Sequence, residues 1–100
     1  MAARNTDVEI PALAWTEVTD SDLTGVIRIQ NLSEKLVYVQ ATTGAAPAGA
    51  TFAAQRKGSI RVRPWMGEVI TVADMFPGVA GADRVWVYSL TACEVSVSHA

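Results

Sequence analysis

Few residues in this chain could do chemistry, and their settings matter more than their number. The single histidine, His99, stands next to the last residue, and the single cysteine is Cys93. A general base must be held within hydrogen-bond reach of the proton it takes. His99 is therefore expected to be a surface or strand-end histidine. Cys93, beside Ala92, reads as a small hydrophobe, because a reactive thiolate needs a basic or helix-terminal setting. One cysteine makes no internal disulfide. The chain has no Gly-x-Ser-x-Gly elbow, no glycine-rich phosphate loop ending in Lys-Ser or Lys-Thr, and no paired Cys or His at zinc-ligand spacing. These residue types point to a protein without catalysis, cofactor or resident metal.

One segment imitates a cation loop. Asp20-Ser-Asp-Leu-Thr-Gly25 places oxygen-bearing side chains at the first, third and fifth positions before a glycine, as a calcium loop begins. The position that should close such a site with a bidentate glutamate is Asn31, and Arg28 intrudes. Asp20 and Asp22 are thus better read as turn formers between two strands. Asn31-Leu-Ser33 matches a glycosylation acceptor by spacing alone.

Arg56, Lys57, Arg61 and Arg63 form the one basic concentration. Strand alternation would set Arg61 and Arg63 on one face, as a solvated surface or as a docking patch able to grip carboxylates. Nucleic acid is disfavoured as a partner. The formal charge is −2, the sequence pI is about 5.2, and no aromatics interleave with the basic residues. The aromatics suggest contact surfaces instead. In Val85-Trp86-Val87-Tyr88 the valines and aromatics alternate, so both faces of that strand are apolar and one must be covered, by core or by a subunit contact. Trp15 and the Trp65-Met66 pair after Pro64 raise the same question. The candidate interface residues are Trp65, Met66, Trp86, Tyr88, Arg61 and Arg63.

The elements that must position these residues are strands. At 100 residues, half of them apolar and 18% charged, the chain is one domain with one core. Sixteen alanines are joined by thirteen valines and nine threonines, and the β-branched stock favours strands. The opening Met1-Ala-Ala-Arg-Asn-Thr-Asp lacks the apolar stretch of a secretory signal, and no apolar run approaches about eighteen residues. Cytoplasmic synthesis and no membrane span are expected.

Two-residue alternation recurs at intervals of about ten residues between Gly, Pro, Asn and Asp clusters, the signature of a sandwich or barrel. It predicts seven antiparallel strands, over 13–18, 26–31, 36–42, 59–63, 69–72, 84–90 and 94–98. Residues 1–10 read as an extended N-terminal arm, and 32–35 as a hairpin turn between the second and third strands. Thr43 to Ala54, rich in Ala, Pro and Gly, reads as a long surface loop able to lie across a neighbour. A short helical turn is expected around Asp74 to Phe76, stopped by Pro77.

Three stretches carry a family resemblance: Asn31-Leu-Ser-Glu-Lys-Leu-Val-Tyr-Val-Gln-Ala-Thr-Thr-Gly-Ala-Ala-Pro47, Asp74-Met-Phe-Pro-Gly-Val-Ala-Gly-Ala-Asp-Arg-Val-Trp-Val-Tyr-Ser89, and Glu94-Val-Ser-Val-Ser-His-Ala100. With them the chain resembles the small β-structured virion proteins of tailed bacteriophages and gene-transfer particles. The resemblance implies a capsid decoration or cement protein that sits on the head surface, binds the major capsid protein or other virion proteins, and self-associates, as a homotrimer. A head-to-tail connector or a tail component fits the same stretches. A carbohydrate-binding fibre module, stacking sugars on Trp15, Trp65 or Tyr88, is the rival from another class. A small enzyme, with Asp20 and Asp22 in a cleft, is a remoter one.

Overall fold

The computed structural model describes residues 3–20, 23, 25–48 and 51–100, with Gln55 described by its backbone alone. Among these residues eight strands and two short helices follow in the order β1 (Arg4–Ile10), β2 (Thr16–Glu17), β3 (Val26–Asn31), β4 (Val37–Thr42), α1 (Phe52–Gln55), β5 (Ile60–Val62), β6 (Gly67–Thr71), α2 (Val72–Met75), β7 (Arg84–Tyr88) and β8 (Cys93–His99). They form two four-stranded sheets, β1-β8-β3-β6 and β2-β7-β4-β5, and every pairing of named strands is antiparallel. The all-β fold expected from the alternation is the one observed.

Alternation explains the core. In β3, Ile27 and Ile29 point inward while Arg28 and Gln30 are half exposed, as the side-chain period of a strand requires. Val37, Val39, Val85, Val87, Val95 and Val97 do the same from their strands, and meet Ile10, Val62, Ile70 and Phe76 in one cluster between the sheets. Small branched side chains fill a sandwich of this thickness without long rotamers to freeze.

Four expectations change. The segment read as a free N-terminal arm is a sheet strand from Arg4 onward, paired with β8 along its whole length from Arg4↔His99 to Ile10↔Cys93. Val8 and Ile10 supply just enough apolar surface for an edge strand. The connection over 32–35 is not a hairpin, because β3 and β4 lie in different sheets. Its shape comes from Asn31, fully buried, whose Nδ2 donates to the carbonyls of Lys35 (2.6 Å) and Val62 (3.1 Å) and whose Oδ1 accepts from the amide (3.0 Å) and hydroxyl (2.7 Å) of Ser33. That burial also removes Asn31 as a glycosylation acceptor. The Ala/Pro/Gly stretch ends in α1, whose amide at Ala54 is capped by the Thr51 hydroxyl. The expected helical turn is α2, shifted two residues earlier and ended before Pro77.

The strand directions give the sandwich two unlike ends. Connections 11–15, 32–36, 63–66 and 89–92 all cross between the sheets at one end. Both helices, the longer connections and the paired ends Arg4 and His99 lie at the other.

Candidate assembly surface at the short-loop end

The surface is built from tight turns. Arg63-Pro64-Trp65-Met66 closes with the Met66 amide donating to the Arg63 carbonyl at 3.1 Å. Pro64 sets the first central position, and Trp65 occupies the second with φ 62°. That left-handed position is normally given to glycine, since a β-carbon there costs about 1–2 kcal/mol. The turn is nevertheless fixed, because β3 ties it down: the Asn31 amide donates to the Met66 carbonyl at 2.9 Å and Gln30 Nε2 to the Trp65 carbonyl at 3.4 Å. The strain holds two large apolar side chains in water, Trp65 57% exposed and Met66 58%.

The same device recurs across the end. Leu13 also has φ 62°, its amide donates to the Ser89 carbonyl at 2.9 Å, and its side chain is 64% exposed. Leu90, in the next connection, is exposed as well. Scattered exposed leucines need no explanation, but four large apolar residues stand exposed on three turns of one end, two of them in strained left-handed backbone, and strained non-glycine residues gather at functional sites.

Between these turns lies a cleft of about 780 Å³ lined by Glu9, Ile10, Pro11, Leu32, Ser33, Ala92, Cys93 and Glu94. Glu9 and Glu94 are direct partners across β1 and β8, both exposed, and neither has a salt-bridge partner among the described residues. Cys93 opens β8, half-buried against the core, as a small hydrophobe would be.

The remaining candidates are placed elsewhere. Trp86 and Tyr88 point to the outer face of the β2-β7-β4-β5 sheet, yet the chain covers that face itself. Tyr88 is 4% exposed, stacked on Phe52 at 4.5 Å between centroids and tilted against Trp15 at 5.2 Å. Trp86 is half-buried, its Nε1 donating to the Thr42 hydroxyl at 2.9 Å. Tyr88 is thus withdrawn both as an interface residue and as a sugar platform, because Phe52 already occupies its face. From the segment read as able to lie across a neighbour, Phe52 packs instead on its own sheet. Arg61 stacks over Tyr38 at 5.3 Å on the same face, and Arg63, exposed, begins the Trp65 turn. Arg56 lies over the Phe52 ring, 5.4 Å from its centroid, and Gln40 Nε2 donates to the Lys57 carbonyl at 2.9 Å, pinning the basic segment to β4.

At the opposite end, the Asp20 carboxylate pairs with Arg4 and its amide donates to His99 Nε2 at 3.2 Å. His99 is buried at the end of β8 and acts as a tie between the strand and this loop. Asp20 is therefore engaged within the fold, while Asp22 lies outside the described residues. Sequence reasoning named Trp65 and Met66 but missed Leu13, Leu90 and the Glu9–Glu94 pair. The alternation puts Leu13 and Leu90 at the ends of strands over 13–18 and 84–90, whereas β2 spans only Thr16–Glu17 and β7 ends at Tyr88, which leaves both leucines in the connections; a cross-strand register between distant segments has no periodic signal.

No family model, curated protein or solved structure matches the chain.

Proposed function

We propose that this chain is a non-catalytic virion structural protein of the capsid decoration type, which binds the assembled head through its short-loop end. One observation carries the reading: Trp65 and Met66 are held in solvent by a turn that spends conformational energy to keep them there. A side chain in that state lowers the free energy of the molecule only when something covers it. Tryptophan is the residue type that most often dominates a protein interface once its pocket is dry.

Decoration is the use that fits such a surface. A subunit that binds only where shell subunits meet stabilises the assembled state over the free one, as any state-selective ligand does. Apolar turns on a rigid sandwich supply that contact with little ordering cost. The partners are then the major capsid protein or other virion proteins and further copies of this chain, arranged as the trimer that the resemblance implies, on the capsid surface. A head-to-tail or tail position would use the same surface at lower copy number.

The test is attachment of the Trp65→Ala protein to particles stripped of the native one. Loss of a buried hot-spot tryptophan costs about 2 kcal/mol or more, roughly 30-fold in affinity. Coating at full occupancy by the alanine protein would reject Trp65 as an anchor.

A further inference from the structure

The two halves of the short-loop end are complementary to each other, and within one chain Trp65 and Met66 stand exposed and do not line the cleft. On the β1 side, the cleft offers apolar walls, Ile10, Pro11, Leu32 and Ala92, beside the Glu9 and Glu94 carboxylates. Like charges placed directly opposite on neighbouring strands repel. This pair therefore gains from any cation that reaches it, and Arg4, at the other end of β1, is committed to Asp20. On the β6 side, the opposite edge of the same sheet, Arg63 leads into the exposed Trp65 and Met66. The hydrogen bonds from Gln30 and Asn31 hold that turn to β3.

We propose that the Arg63–Met66 turn of one copy seats in the Glu9–Glu94 cleft of the next, with Trp65 and Met66 against the apolar walls and Arg63 against the carboxylate pair. The occupant is a second copy of this chain because that copy presents an arginine directly beside a large exposed apolar pair, matching a cleft that sets two carboxylates directly beside apolar walls. The cleft is open to solvent, so a protruding turn can enter it. The contact joins two different patches of one end, so two copies can seat reciprocally across a two-fold axis, each turn in the other's cleft, or successive copies can close into a ring. This inference rests on the reading of the short-loop end as an assembly surface and names what covers one part of it.

Cys93 lines the cleft and provides the probe. The full-length Met66→Cys protein, oxidised mildly at a concentration where sedimentation shows association, should form intermolecular disulfides between positions 66 and 93. They should vanish when Cys93→Ser is added, and their size distinguishes a reciprocal dimer from a larger ring. Independently, Glu94→Arg and Arg63→Glu should each weaken association about tenfold or more, and the two together should restore most of it. Both positions are exposed, and Glu94→Arg gives Glu9 an opposite partner on the same sheet, so folding is preserved; circular dichroism verifies it. Crosslinks that join only the introduced thiols at position 66 to each other, a protein that stays monomeric at every concentration, or a charge swap that restores nothing would overturn the proposal. If particles are still coated at full occupancy by the Glu94→Arg protein while these crosslinks are missing, self-seating fails and the assembly reading stands. If Trp65→Ala also coats at full occupancy, the assembly reading itself fails.

Discussion

Phe52 stacks on Tyr88 with ring centroids 4.5 Å apart and planes 19° from parallel, and this contact closes the outer face of the β2-β7-β4-β5 sheet. Tyr38 meets the other side of the cluster, edge-on to Phe52 at 5.2 Å. A four-residue helix has too few hydrogen bonds to stand alone, so α1 exists because Phe52 is anchored on the sheet. Phe52→Ala should cost about 2 kcal/mol, less than a fully buried phenylalanine because Phe52 is half exposed. Thermal unfolding should fall by roughly 10 °C.

The left-handed backbone at Trp65 reverses the usual ranking of small residues. Alanine normally outranks glycine by restricting the unfolded chain, but at φ 62° its β-carbon is the source of strain. Trp65→Gly should therefore be more stable than Trp65→Ala by about 1 kcal/mol in chemical denaturation. Both should lose particle attachment equally. A glycine protein less stable than the alanine one would mean that the turn is not strained.

Asn31 joins β3, β5 and the 32–36 connection through four side-chain hydrogen bonds in a fully buried setting. Asn31→Ala strands the Val62 and Lys35 carbonyls and the Ser33 amide, and should cost about 2–4 kcal/mol. Hydrogen exchange should accelerate first in 32–36, before the strands.

Glu94→Gln removes the repulsion from Glu9 and should stabilise the isolated domain by about 0.5 kcal/mol at low salt. The difference should shrink toward zero near 1 M salt, where charges are screened within about 3 Å. Under the same low-salt conditions self-association of this variant should weaken, so stability and assembly move in opposite directions.

Much of the fold was legible because burial follows a two-residue period. Ile27 and Ile29 located β3 to the residue, and Val95 and Val97 located β8 to within one residue at each end. β1 escaped because Arg4-Asn-Thr-Asp-Val-Glu-Ile10 carries only Val8 and Ile10 as apolar anchors, while its partner strand supplies the rest of the order. α1 escaped because its cause is not local: Tyr88 and Tyr38, distant in sequence, determine where Phe52 rests. The alternation of Val85-Trp86-Val87-Tyr88 correctly demanded a cover on both faces, but no pattern within the strand says whether the cover is the same chain or another. At the candidate surface, Trp65 and Met66 drew notice by residue type, whereas Glu9 facing Glu94 depends on strand register alone.

The measurement that bears most directly on the proposed role is a quantitative mass-spectrometric count of this chain in purified particles from its source, per copy of the major shell protein. A lattice-wide decoration protein should be present in near-stoichiometric amounts. A handful of copies would move it to the portal or tail, and its complete absence from the particles would contradict the virion role.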